Sequence, residues 1–392
     1  MTRKAQKFET QAIRTQINQT QEKEHSTPLY LTSSFRFDDA EEMRALFANE
    51  KDGNIYSRYS NPNTNELIHK ICGMEETEAG FATATGMAAV FVSMASLLKS
   101  GDHIIASRAV FGSTHQILTQ IFPNWGISFS YIEPDKPETW ANYVRPETKM
   151  MVLETPSNPG LTLIDLEIAG QFAKDHNLIL NVDNCFATPY LQKPAIYGAH
   201  LITHSTTKFM DGQGRVLGGI ITGSKELIDK ITFFSRHTGP AMSPFNAWVI
   251  SKSLETLAVR MDRHCSNALS LAHFLETCKN QINEVRYPFL ESHPQYNLAK
   301  KQMTQGGGIV SFEVKSGLIG GQQFLDRLKM ISISSNLGDT RTIATHPATS
   351  THSKLSEAER QSVGITQGLI RISVGLEHID DIIHDVKQAL GI

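Results

Sequence analysis

Leu201-Ile202-Thr203-His204-Ser205-Thr206-Thr207-Lys208 decides how the rest of the chain is read. A short apolar run ends there in three hydroxyls and a lysine, the pattern of a buried strand that delivers an amine at its carboxyl end. An ammonium is strongly hydrated and has no reason to follow a strand into an apolar sheet, unless desolvation lowers its pKa and makes the amine useful. A Schiff-base lysine needs that setting. Ser205 and Thr207 lie two apart, so on extended chain they face one side and can both donate to one anion. An aldehyde cofactor carrying a phosphate suits such a site. The competing reading is a strand that runs into a Ser/Thr-rich turn with a solvated lysine, and the flanking sequence reverses those odds.

Between residues 100 and 225 short apolar runs alternate with longer polar-apolar segments: His103 to Ala106, Ile127 to Ile132, Met150 to Leu153, Leu178 to Val182, Leu201 to Thr203 and Leu217 to Thr222. Alternation of this kind predicts a largely parallel sheet wrapped by helices, one of them over Ile164 to His176. Ligands in open α/β sheets bind beyond the carboxyl ends of the strands. The polar residues fall at those ends: Glu154-Thr155-Pro156-Ser157-Asn158-Pro159, Asp183-Asn184, and the hydroxyls before Lys208. Three strand ends are therefore expected to converge on one site. Asp183 directly after a buried run needs a partner, and a pyridinium N–H is the one that pairs chemically with a nearby Schiff-base lysine. A helix N-cap role for Asp183 and a turn role for Asn158 before Pro159 stand beside these functional readings.

Upstream, Thr85-Gly86 is placed to cap the apolar helix that begins at Met87, where a glycine lets backbone N–H groups approach an anion. There is no GxGxxG after a first strand, so dinucleotide binding has little support. Residues 1 to about 60 are polar and lack a sustained period, which predicts an extended arm whose aromatics must pack on something, a second subunit being one candidate surface. Within it Arg58, flanked by Tyr56 and Tyr59, is either a surface arginine or a phosphate clamp. A long helix containing Leu254, Leu257 and Met261 is expected to carry a domain boundary between 245 and 285. Beyond it the strand candidates Ile309 to Phe312 and Leu369 to Val374, with a helix over Ile379 to Leu390, predict a smaller α+β domain. Arg371 interrupts the second of those runs, either as an edge residue facing water or as a buried fork for a carboxylate. His346 and His352 have no acidic or cysteine partner nearby, so a loop is expected there and no metal site.

Composition narrows the function classes. With 37 basic and 40 acidic residues the formal charge is -3, which gives no electrostatic case for nucleic acid or an anionic membrane. Cys72, Cys185, Cys265 and Cys278 include no CxxC pair, so neither a disulfide framework nor zinc is indicated and a reducing cytoplasm fits. The first thirty residues contain no apolar secretory core, and no run approaches the length of a membrane span. Small-molecule chemistry is what remains.

Six motifs in order carry a resemblance that runs nearly end to end: Tyr56-Ser57-Arg58-Tyr59-Ser60-Asn61-Pro62, Thr85-Gly86-Met87-Ala88-Ala89, Glu154 to Pro159, Val182-Asp183-Asn184, Ser205 to Lys208, and Arg371-Ile372-Ser373-Val374-Gly375. They resemble the Cys/Met-metabolism family of pyridoxal-phosphate enzymes. The resemblance implies the aspartate-aminotransferase-like fold (fold type I): a large α/β domain with a mainly parallel sheet plus a smaller C-terminal α+β domain. It divides the chain into an arm over residues 1–60 that contacts a partner subunit, a large cofactor-binding domain over 61–255 and a C-terminal domain over 256–392. It also implies a homotetramer of two tight dimers with shared active sites. Lys208 would hold the cofactor and then shuttle protons, and Asp183 would keep the ring nitrogen protonated. Gly86, Met87, Ser205 and Thr207 would bind the phosphate, with Tyr56 and Arg58 reaching in from the partner subunit. Arg371, Asn158 and Asn336 would face the substrate, Asn158 also touching the cofactor. Where the family commonly has a tyrosine against the ring, this chain has Phe111, which can stack but cannot carry a proton. Phe111-Gly112-Ser113, Val182 to Phe186 and Asn336 to Arg341 look most like the O-succinylhomoserine sulfhydrylase branch. The implied reaction is γ-replacement, in which succinate leaves the γ-carbon and sulfide takes its place to give homocysteine. Methionine γ-lyase and cystathionine γ-synthase are the alternatives within the family, and a catalytically silent cofactor-binding regulator is the alternative outside it. Phe111 and Ser113 stand where tyrosine and cysteine would be expected of the lyase. Cys185, beside Asp183, is expected to be a small buried thiol.

Overall fold

The runs of β-branched and long apolar residues become strands buried on both faces, as a sheet covered by helices requires. β1 (Ala79–Thr83), β2 (His103–Ser107), β3 (Ser128–Ile132), β4 (Thr148–Glu154), β5 (Ile179–Asp183), β6 (Leu201–His204) and β7 (Gly219–Gly223) form one sheet in the order β1-β7-β6-β5-β4-β2-β3. The pairs β2–β3, β2–β4, β4–β5 and β5–β6 are parallel, while β7 runs antiparallel to β6 and β1. Ile104 and Ala106 pack with Val90, Met94 and Val152 on one face. Ile105 packs with Met151, Leu153 and Leu180 on the other. The computed structural model describes residues 6–350, 353, 357–362 and 364–392; Met1–Ala5 and His352 lie outside them.

A second sheet follows, with β8 (Ile282–Arg286), β9 (Ile309–Val314), β10 (Ser332–Ile333), β11 (Ile343–Thr345) and β12 (Leu369–Ser373) in the order β10-β11-β12-β9-β8. Helices Leu257–Thr277, Gly317–Arg327 and Ile379–Leu390 cover one face of it, burying Leu271, Leu275, Phe324, Ile382 and Val386 against Val310, Phe312, Ile370 and Ile372. Successive strand residues alternate in direction, so Arg371 points away from those helices. It points toward the large sheet, where it meets Asn158.

Several local expectations change. Ala79–Thr83, for which the sequence offered no strand, is one, pairing antiparallel with β7 over its whole length. The long helix through Leu254 and Met261 is two helices, Pro244–Leu254 and Leu257–Thr277, interrupted at Glu255 and Thr256. The first sixty residues are not wholly extended, for Phe8–Arg14 and Ala40–Phe47 are helical and the Asp39 side chain caps the second through Glu42 N. Part of this segment packs on its own chain: Phe8 lies 5.1 Å from the Tyr190 ring, and Trp248 Nε1 donates to Thr27 O at 2.8 Å. His346 follows β11 with its ring held by Thr349 Oγ1 and Gln367 O.

Helix Leu166–Asp175 approaches the turn at Tyr197 so closely that a Cβ on Gly170 would lie 1.7 Å from the Tyr197 carbonyl oxygen. Gly170→Ala gains about 1 kcal/mol of helix propensity. Overpacking against rigid backbone costs about 1–3 kcal/mol, so the clash wins. The variant is expected to melt below the parent when unfolding is followed by circular dichroism, and an equal or higher midpoint would show that the contact yields.

Candidate active site

Parallel strands of one sheet end on the same side, and here the ends of β4, β5 and β6 bring Glu154, Asp183 and the turn after His204 together. Glu154 pairs in register with Asp183, and Asp183 with Thr203. The cavity beyond them has a volume of about 330 Å³. Gly86, Met87, Phe111, Asn158, Asp183, Ser205, Thr207, Lys208 and Arg371 all line it.

Lys208 arrives by a different route from the one its spacing suggested. The chain leaves the strand at Ser205 and turns, with Lys208 N donating to Ser205 O at 3.2 Å and Gly212 N to Lys208 O at 2.8 Å. The alternation that placed Ser205 and Thr207 on one face therefore does not apply. Both still reach the cavity, but the Thr207 hydroxyl is occupied by Gly218, donating to its O at 3.2 Å and accepting from its N at 3.1 Å. Burial, and then the positive field of Arg371, lower the pKa of Lys208, a shift that the Cys185 thiolate would oppose. Its Nζ donates to Asn336 Oδ1 at 2.6 Å.

Helix Gly86–Ala95 points its N-terminus at the same space, capped by Thr85 Oγ1, which accepts from Ala88 N at 3.0 Å. Only glycine fits at its first position, since a Cβ on Gly86 would lie 2.5 Å from Ser205 Cβ. Close approach of backbone N–H groups to Ser205 gives an anion a cradle of donors.

Asp183, for which a helix N-cap role was the alternative, accepts from Cys185 N at 3.0 Å in the turn after β5. Desolvation raises its pKa to about 6, against the opposing pull of that bond and of His204. Behind it His204 Nε2 meets Glu75 Oε1 at 2.6 Å, and Asn184 Nδ2 donates to the same oxygen at 2.9 Å. Cys185 lines the cavity rather than sitting wholly in the core, and burial pushes its thiol far above the ordinary range. It is no thiolate nucleophile.

Arg371 is 2 % exposed, which excludes the water-facing reading. Its Nη1 donates to Asn158 Oδ1 at 3.0 Å, and its Nη2 to Ser335 O at 3.2 Å and Asn336 O at 3.0 Å, while Nε is buried without a partner. Burial lowers its pKa to about 10. Every one of these acceptors is neutral, so a buried cation is left ready for an anion.

Tyr56 and Arg58 do not line this cavity. Arg58 lies against the rings of Tyr56 at 5.3 Å and Tyr59 at 4.9 Å, and it donates to Arg236 O. Sequence reasoning assigned no role to Glu154, although it is buried and both its oxygens accept backbone N–H groups of cavity residues. Its one signal was its place directly after an apolar run, the same signal that picked out Asp183. A wider groove of about 1330 Å³, lined by mixed charges that include His273, Glu276, Lys279 and Arg286, contains none of the predicted site residues.

Comparison with known proteins agrees with this geometry. O-succinylhomoserine sulfhydrylase of Pseudomonas aeruginosa is 43% identical over 384 residues, 98% of this chain and 95% of that protein. L-methionine gamma-lyase of Fusobacterium nucleatum subsp. polymorphum is 41% identical over 366 residues, 93% of this chain and 92% of its own. The metY protein of Campylobacter jejuni, whose crystal structure holds N'-pyridoxyl-lysine-5'-monophosphate, superposes with a TM-score of 0.94 at 33% identity, covering 98% of this chain and all of that one. With the model of Cys/Met metabolism PLP-dependent enzymes matching residues 9–391, the chain belongs to that family and is a pyridoxal-phosphate enzyme of fold type I.

Proposed function

We propose that the protein makes homocysteine from O-succinylhomoserine and sulfide by γ-replacement. The observation that carries this reading is that Phe111 lines the same cavity as Lys208, offering a stacking face without a phenolic proton. The residues present suit pyridoxal phosphate: the N-terminus of helix Gly86–Ala95 and Ser205 for the phosphate, Asp183 for the ring nitrogen and Phe111 for the ring face. Lys208 is the amine that holds it. When bound, that group would supply an aldehyde for amines and an electron sink for the α-carbon.

Arg371 then grips the substrate carboxylate, exchanging some of its neutral acceptors for an anion, with Asn158 and Asn336 beside it. Lys208 Nζ, whose pKa burial lowers, takes the α-proton. That proton moves on toward the cofactor, Lys208 Nζ takes a β-proton in turn, the γ-carbon to oxygen bond breaks and succinate leaves. Sulfide then forms the new carbon to sulfur bond, and protons return to the β- and α-carbons to give homocysteine. Tyr56 and Arg58 complete the phosphate site of a neighbouring copy, in a homotetramer of two tight dimers. Leu31, Phe47 and Tyr56, all exposed on the arm, suit that cover. The second reading is methionine γ-lyase, favoured by relatives of nearly equal identity.

The deciding experiment compares O-succinylhomoserine with sulfide, O-acetylhomoserine with sulfide, O-succinylhomoserine with cysteine, and methionine alone. Preference for the succinyl ester with sulfide is expected. Cystathionine as the main product would make the protein a cystathionine γ-synthase, and 2-oxobutyrate from methionine alone a lyase. Arg371→Leu is expected to lower kcat/KM roughly 10- to 150-fold, from about 1.5–3 kcal/mol for hydrogen bonds to a charged group. A loss confined to kcat would remove Arg371 from substrate binding. The pH dependence follows from Asp183, whose raised pKa of about 6 means that its charge is lost as pH falls through that value. Uptake of pyridoxal phosphate by the apoprotein is therefore expected to weaken below about pH 6, and Asp183→Asn to bind weakly without that step. The same acid limb in Asp183→Asn would assign it to another group.

A further inference from the structure

The large sheet reverses its order between β2 and β4, for the chain passes from β2 outward to β3 and returns to pair β4 on the other side of β2. The loops after these two strands therefore part around a crevice. Phe111 stands on the loop after β2 and Asn158 on the loop after β4. Glu154 joins them: Oε2 accepts from Phe111 N at 2.6 Å and Oε1 from Asn158 N at 3.2 Å.

Asn158 passes the link onward. Its Oδ1 takes Arg371 Nη1, Arg371 Nη2 donates to the backbone oxygens of Ser335 and Asn336, and the Asn336 side chain takes Lys208 Nζ. Hydrogen bonds thus run around the cavity wall from the aromatic face to the reactive amine. A carboxyl in this place is costly, because Glu154 is buried and stands directly across the β4–β5 register from Asp183. Burial, and then the Asp183 charge, push its pKa well above the ordinary range. An apolar residue at the strand end would avoid that cost but leave two loop N–H groups without an acceptor.

We propose that Glu154 is a positioning residue: its two carboxyl oxygens set the gap between Phe111 and Asn158, and through Asn158 the aim of the Arg371 fork. The inference rests on the placement of the cofactor ring against Phe111 proposed above.

The test uses Glu154→Gln and Glu154→Ala in the full-length holoenzyme and in apoprotein reloaded with pyridoxal phosphate. Three quantities are read: the cofactor Kd from its fluorescence, the Kd of O-succinylhomoserine from the change in cofactor absorbance, and kcat. In Glu154→Gln the amide oxygen keeps the shorter bond to Phe111 N, and Asn158 N faces an NH2 group. The amino-acid Kd is expected to rise about 10-fold, with cofactor Kd and kcat little changed. In Glu154→Ala both loops lose their tie, and cofactor Kd rises as well. Parental values of both dissociation constants in Glu154→Gln and in folded Glu154→Ala would overturn the proposal. So would a loss of kcat alone, which would make Glu154 a proton-transfer group. Should Glu154→Ala fail to fold, the near-isosteric Glu154→Gln decides by itself. The dissociation constants are read without product, so absence of homocysteine would sink the functional reading and leave this result standing.

Discussion

A guanidinium buried with no anion beside it among the described residues is the constraint around which the rest of the site is arranged. Arg371 is held by the Asn158 amide and two backbone carbonyls, all neutral. Desolvating a cation costs several kcal/mol, and neutral dipoles repay only part of it (about 1.5–3 kcal/mol for each hydrogen bond). The balance is restored when a carboxylate enters. Burial lowers the pKa of Lys208 first, and the same charge adds to that shift; in the proposed reaction a substrate carboxylate on Arg371 removes the second contribution. On the proposed mechanism, binding and proton transfer are linked through one electrostatic interaction rather than through a moving part.

That arrangement needs a stiff support, and a polar one lies behind the strand ends. Glu75 takes His204 and Asn184, Asn184 Nδ2 also donates to Gln192 O, and Gln302 Nε2 bonds Gln192 Oε1. Replacing such a network with apolar groups of equal volume can be neutral for stability. Its directional bonds instead fix where β5 and β6 end, and with them Asp183 and the Lys208 turn.

The sequence made the central strands legible because a strand buried on both faces must be apolar throughout, and Ile104 to Ala106, Met150 to Leu153 and Leu201 to Thr203 satisfy that without ambiguity. β1 escaped because Ala-Gly-Phe-Ala-Thr has little intrinsic β-propensity, so its pairing with β7 is imposed by tertiary context. β10 and β11, two and three residues long, are too short to establish a period. The break at Glu255 and Thr256 contains neither glycine nor proline, and the helical period continues across it. Site residues were legible where chemistry requires a rare type in an unfavourable place, as with Lys208, Asp183 and Arg371. Glu154 met that criterion too, but its role depends on two loops 43 and 4 residues distant along the chain, which no local pattern encodes.

Overall identity is a poor guide to which member of this family a chain is, and the reason is physical. A sulfhydrylase at 43% and a γ-lyase at 41% share with this chain a span of more than 360 residues. The cores of two sheets fill most of that span, where substitutions answer to packing. On the proposed mechanism, proton abstraction at the α-carbon makes the same demands on Lys208, Asp183 and Arg371 whichever atom later attacks. Discrimination falls to whatever faces the γ-carbon, and Phe111 lines the cavity with a ring that carries no acidic proton. A phenyl ring removes one proton donor from the cavity and adds none. On the proposed reading the leaving group departs as a species that needs little protonation; a carboxylate such as succinate meets that condition, whereas a thiolate gains much more from a nearby acid.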